Sequence, residues 1–115
     1  MGEKTPREVL AEFSMTPLGK GEGVSPFVAR SLDIVDRSGL DYLLTPMGTV
    51  LEGTWEEVME VIGKCFERMR EDCDRITCSV KIDYRRGREG RLGTKVRSVE
   101  EKVGRPLKRT GREEG

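Results

Sequence analysis

Residues 76–84, ITCSVKIDY, alternate apolar and polar side chains without a break. Strict period two is the pattern of a strand that rests one face on a core. Ile76, Cys78, Val80, Ile82 and Tyr84 point one way, and Thr77, Ser79, Lys81 and Asp83 the other. The same pattern occurs near the start of the chain, where Val9, Ala11, Phe13 and Met15 alternate with Leu10, Glu12, Ser14 and Thr16.

The stretch between these strands supplies the other elements. A glycine-rich loop, GKGEGVSP, leads to a helix with Ser25 as its expected N-cap and Pro26 at its first position. Val28, Leu32 and Val35 form its apolar stripe, and Gly39 stops it. LDYLLTPMGTVLEG reads as two strands, roughly 40–45 and 49–53, joined tightly at Pro46-Met47-Gly48. Thr54 and Glu57 form a capping box for a second helix, whose stripe is Val58, Ile62, Cys65, Phe66 and Met69. After the last strand, RRGREGRLGTK reads as a mobile basic loop, and Ser98 with Glu101 as a capping box for a short helix ending near Val103.

The order is β-α-β-β-α-β, which predicts an α+β fold: a ferredoxin-like split β-α-β-β-α-β sandwich with a short extra C-terminal helix. Residues 1–8 form a flexible leader, 9–85 the ferredoxin-like domain, 86–104 the basic loop and terminal helix, and 105–115 a disordered tail. Two helices with one apolar stripe each cover one sheet face. The other, carrying Glu12, Ser14, Thr16, Thr77, Ser79, Lys81 and Asp83, is left wet or covered by another subunit.

At 115 residues the chain is long enough for one domain and one core. Its 21 basic and 21 acidic residues cancel, so no overall field favours a nucleic acid or an anionic membrane. No apolar run approaches membrane-spanning length and no charged-then-apolar leader precedes the first strand, so the expectation is a soluble cytoplasmic protein. The chain has no histidine, which removes Ser-His-Asp and Cys-His nucleophile systems and histidine-liganded zinc or iron. It also has no asparagine and no glutamine; with 37% charged residues, this resembles a heat-adapted composition, although genomic base composition gives the same result. Cys65, Cys73 and Cys78 are an odd count without a CxxC pair, a poor disulfide framework and a poor zinc site. Cys65 and Cys78 fall on apolar faces and are expected in the core.

One phrase is written twice: MTPLG at 15–19 and LTPMG at 44–48. In the split βαβ arrangement a duplication would relate the first strand to the third, whereas these phrases end the first and the second. Those two strands run in the same direction, because a helix crossover joins them. Their carboxyl ends therefore meet at one edge, with the start of the third strand and the N-terminus of the first helix. Thr16, Thr45 and Thr49 would bring hydroxyls together there, with Gly19 and Gly48 allowing close backbone approach. The competing reading is that proline and glycine merely end strands. GKGEG lacks the spacing of a phosphate loop and carries Glu22 in its middle, so flexibility explains it better.

At PLGKG, SGLDY, PMGTVLEG and KIDYR the chain resembles the thiamine-binding protein family, the YkoF-like group of small ferredoxin-like proteins, over most of residues 9–103. The resemblance implies a non-catalytic cytoplasmic binder of thiamine or its hydroxymethylpyrimidine moiety, needing no cofactor, and a homo-oligomer, a tetramer, assembled through sheets. It carries ligand contact to Ser14 and Thr16 and to Met47, Gly48, Thr49 and Glu52. The residues suit such a ligand. An aminopyrimidine wants a hydrogen-bonding edge, for which Ser14, Thr16, Thr45 and Thr49 are available, and a flat face, for which Met47, Phe27 or Tyr42 serve. A thiazolium cation wants a carboxylate, here Glu12, Glu52 or Asp83. Each has a structural alternative; Glu12 and Lys81 lie on adjacent strands and can neutralise one another. Trp55, next to a helix cap, reads as a packing residue.

Three rival readings stand beside this one. Paired carboxylates can do acid–base chemistry, but the fold-sharing acylphosphatases pair an arginine with an asparagine, and this chain has no asparagine. Arg85, Arg86, Arg88, Arg91, Lys95 and Arg97 make a basic run, yet RNA-binding sheets of this kind carry aromatics on the open face, and the first and last strands offer none there. The run reads as a solvated loop or an oligomer contact, and no nucleic acid or membrane partner is expected. A small-molecule-sensing or purely structural oligomer is the third.

Overall fold

A computed structural model describes residues 6–21 and 23–106, apart from the side chains of 94–96. Most of the leader, Glu22, the Lys95 side chain and the tail from 107 onward lie outside the described residues. The elements are β1 (Val9–Pro17), α1 (Ser25–Arg37), β2 (Asp41–Thr45), β3 (Gly48–Gly53), α2 (Trp55–Arg70), β4 (Ile76–Tyr84) and α3 (Arg91–Val103). The four strands form one antiparallel sheet in the order β2-β3-β1-β4, the ferredoxin-like arrangement.

β1 sits centrally, and its register fixes the two faces. Ala11 faces Leu51 on one side and Ile82 on the other, so all three side chains leave the same surface. Val9, Ala11, Phe13, Met15 and Leu51 are buried there beneath Val35 of α1 and Val58, Ile62, Cys65 and Met69 of α2. Burying each large side chain contributes about 1.5–3 kcal/mol, which makes this layer the main source of stability. The Thr54–Glu57 capping box starts α2 as the sequence requires, each residue accepting the other's backbone N–H at 3.0 Å.

The local readings are corrected in four places. First, Ser25 is the opening residue of α1 and not its cap. Val24 takes that position, its carbonyl accepting from the N–H groups of Phe27 and Val28. Second, α1 and α2 cover only the start of β4, where Ile76 packs against the core. Cys78 lies on the apolar face as its alternation dictates, but it is exposed, and Val80, Ile82 and Tyr84 are 40%, 36% and 55% exposed. Two helices centred over β1 and β3 leave the rest of the edge strand uncovered.

Third, α3 begins at Arg91, not near Ser98. No Ser98–Glu101 capping box forms; Ser98 lies inside the helix, where its hydroxyl accepts from Lys102. The true start is Gly90, in the left-handed conformation at φ 71°, and its cap comes from a distance. The Glu52 carboxylate accepts the N–H groups of both Gly90 and Arg91. Fourth, α3 therefore packs against β2 and β3 across one end of the face expected to be open.

Candidate functional site

The repeated phrases converge. A cavity of about 220 Å³ lies where β1 ends and β3 begins, under the first turns of α1. Its wall includes Ser14, Met15 and Thr16 from the first phrase and Leu44 through Gly48 from the second. Val24, the cap of α1, and Val28, Ser31 and Leu32 of the helix close it from above, with Phe13 and Thr49 from the sheet.

The β2–β3 turn explains its shape. Thr45 and Gly48 are directly paired, leaving Pro46 and Met47 as a two-residue turn with no residue outside glycine at positive φ. The Thr45 hydroxyl donates to the Gly48 carbonyl at 2.9 Å and accepts from the N–H groups of Met47 and Gly48 at 3.2 and 3.1 Å. It is consumed by its own turn. Gly48 answers a steric demand, since a Cβ there would stand 2.9 Å from the Phe13 carbonyl oxygen. Gly19 instead supplies positive φ, at 84°, with no neighbour close by.

The remaining hydroxyls are free. Ser31 and Thr49, both buried, make no side-chain hydrogen bond within the described residues; nor do Ser14 and Thr16, which border the cavity from the strand while their side chains alternate onto the face of Glu12. Unspent hydroxyls beside apolar walls suit a flat heteroaromatic ring whose edge needs partners. Among the described residues no charged side chain lines the cavity. Met47, 82% exposed, stands at its rim.

Of the eight residues singled out from the sequence, Ser14, Thr16, Thr45, Met47, Gly48 and Thr49 line this cavity. Glu12 and Glu52 do not. Glu12 is exposed on the far face, opposite Lys81 as expected but without an ion pair to it within 4 Å. Glu52 is held at the other end of β3 by α3, and Asp83 pairs with Arg91 at 3.1 Å. The aromatic candidates are also engaged elsewhere. Arg30 covers the Phe27 ring at 4.8 Å, and the Tyr42 hydroxyl donates to Asp36 at 2.9 Å, a bond that holds its phenol above the usual tyrosine range. Trp55 is half exposed rather than packed. Ser31 was not foreseen; its signal was a polar residue at the stripe spacing between Val28 and Val35.

The family model described as "Thiamine-binding protein" matches residues 11–100. The UPF0045 protein MJ1052 of Methanocaldococcus jannaschii is 35% identical over 95 residues, covering 83% of this chain and 95% of that protein. Its crystal structure superposes with a TM-score of 0.76, covering 83% of this chain and 98% of the solved one. The UPF0045 protein Mb1933 of Mycobacterium bovis is 40% identical over 99 residues, 85% of this chain and 97% of that one. A Thermotoga maritima protein proposed to act in thiamine biosynthesis or salvage shares the fold, with a TM-score of 0.66 at 22% identity, over 84% of this chain and 96% of the other. The family model over residues 11–100, with relatives 35% and 40% identical over more than four fifths of this chain, makes it a member of the thiamine-binding protein family.

Proposed function

We propose that the protein binds thiamine without transforming it, seating the hydroxymethylpyrimidine moiety in the cavity between the two TPxG phrases. The observation that carries this reading is the pair of buried, unspent hydroxyls, Ser31 and Thr49, on a cavity that no charged side chain among the described residues lines. At about 220 Å³ the cavity falls below the roughly 300–1,000 Å³ of sites that hold whole drug-sized ligands. It suits one ring. The cationic thiazolium then lies outside, beyond Met47, where solvent or another subunit meets it.

Assembly belongs to the same proposal. The uncovered row of Val80, Ile82 and Tyr84 on an edge strand is the kind of apolar surface that a second copy covers, and it supports the sheet-assembled homo-oligomer, a tetramer, implied by the family. No helix among the described residues is long and apolar enough to cross a membrane, in keeping with a cytoplasmic binder.

Titration calorimetry of the purified protein with thiamine, hydroxymethylpyrimidine and thiamine phosphate tests the reading. Hydroxymethylpyrimidine is expected to retain most of the affinity of thiamine, and Thr49→Val to weaken both about tenfold, the loss of one hydrogen bond to a desolvated ring. Absence of saturable binding with all three compounds would remove the thiamine reading and leave a sensor of another small molecule or a structural oligomer.

A further inference from the structure

At the opposite end of the sheet a second cavity, about 390 Å³, opens between β4 and α3. It shares no residue with the first. Arg85, Arg88 and Arg91 converge on it with Asp83 and Ser98, over a floor that includes Leu10. The Arg88 N–H donates to the Arg85 carbonyl at 3.2 Å, so both side chains leave one tight turn.

The charges here do not cancel. Arg91 is committed to structure: one terminal nitrogen meets the Asp83 carboxylate at 3.1 Å, and the other donates to the carbonyls of Glu8 and Asp83 at 2.8 Å. Asp83 is thereby neutralised. Arg85 and Arg88 have no carboxylate within 4 Å among the described residues. The nearby acids are engaged with backbone, Glu8 accepting from the Gly87 N–H and Glu89 from that of Arg7. Ser98 already accepts from Lys102, which leaves its O–H available to donate. Two unmatched guanidiniums and a free hydroxyl donor facing one cavity form a donor set for an anion with several acceptor oxygens.

The geometry points to a binding site for a phosphate-bearing small molecule, a phosphate ester or diphosphate, held by Arg85, Arg88 and Ser98 and separate from the pyrimidine cavity. A small anion fits better than a nucleic acid strand. The cavity is walled by α3, and the strand positions facing the same side as Leu10 and Asp83 carry no aromatic on which bases would stack. Occupation would tie the turn after β4 to the middle of α3, which makes this a place where a phosphorylated metabolite can act on the assembled protein.

The test is calorimetric titration of the full chain with inorganic pyrophosphate at constant ionic strength, comparing wild type with the double variant Arg85→Ala, Arg88→Ala. Both side chains are exposed and make no structural bond, and matching thermal melts would confirm an intact fold. One saturable site per chain is expected, weakened about a hundredfold in the double variant, roughly tenfold for each guanidinium. Thiamine titration should be unchanged in that variant, so failure here and failure of the pyrimidine reading are separable. Equal affinity in the variant, no saturation, or tighter and steeply salt-dependent binding of single-stranded RNA would each overturn the assignment.

Discussion

Replacing Glu52 by alanine should release α3 while leaving the sheet folded. The magnitude follows from the partners. Glu52 is 4% exposed, and one of its carboxylate oxygens accepts two of the N–H groups that the first turn of α3 leaves unpaired. Two charge-assisted bonds contribute about 1.5–3 kcal/mol each, with a small addition from the helix dipole. Against this, the other oxygen is buried without a partner, a desolvation cost of about 1–3 kcal/mol that the mutation removes. The balance is ~2 kcal/mol, concentrated in the docking of α3 rather than in the core, which Glu52 does not enter. Hydrogen exchange reads this directly. Amides of α3 should exchange about thirtyfold faster in Glu52→Ala, while those of Ala11 and Leu51 keep their protection. Unchanged exchange in α3, or equal loss across the whole sheet, would refute the idea that a strand carboxylate caps this helix.

Three further outcomes are expected. Gly48→Ala drives a methyl against the Phe13 carbonyl oxygen at 2.9 Å and should lower global stability by about 1–3 kcal/mol, seen as an earlier urea midpoint; an unchanged midpoint would show that the turn relaxes freely. The Arg30 guanidinium, bonded to Asp72 at 2.9 and 3.0 Å, holds that carboxyl down at about 2. Because the folded pKa lies below the unfolded value of about 3.9, the pair stabilises the protein above that pH and loses its effect as pH falls toward 2. Stability curves of wild type and Asp72→Asn should therefore separate at neutral pH and converge in acid; parallel curves would refute the pairing. Finally, burial of Cys65 and Cys73, with the Cys65 thiol pushed up to about 11 by desolvation, should keep both from thiol reagents in native protein. Cys78 should react in dilute monomer and become protected as concentration rises and β4 is covered, whereas concentration-independent labelling of Cys78 would argue against assembly through that face.

What the sequence made legible was whatever depends on neighbours along the chain. Period two placed β1 and β4 and told which side of each faces the core, and a four-residue capping box placed the start of α2. Alternation cannot say how far the helices reach across the sheet, which is why Cys78 looked like a core residue and proved exposed. The start of α3 was hidden for a related reason. Its cap belongs to β3, and Gly90 and Gly93 in the local sequence argue for a loop. At the site, the doubled phrase foretold which residues meet. It did not foretell that the Thr45 hydroxyl is spent inside its own turn, nor that Glu52 faces α3 instead of the cavity.

The central position of β1 has a consequence for synthesis. Ala11 pairs with Ile82, and every residue of β1 waits for a partner in β4 that lies far downstream. At about 5–20 residues per second on the ribosome, a gap of about 70 residues leaves that edge of β1 open for roughly 4–15 s. Throughout that interval Val9, Ala11, Phe13 and Met15 form a nascent apolar strand with one unpaired edge. A chain translated many times from one message is then exposed to pairing between unfinished copies before the correct partner strand emerges. Chaperone demand and loss to aggregation should therefore rise with translation density more than with the stability of the finished fold.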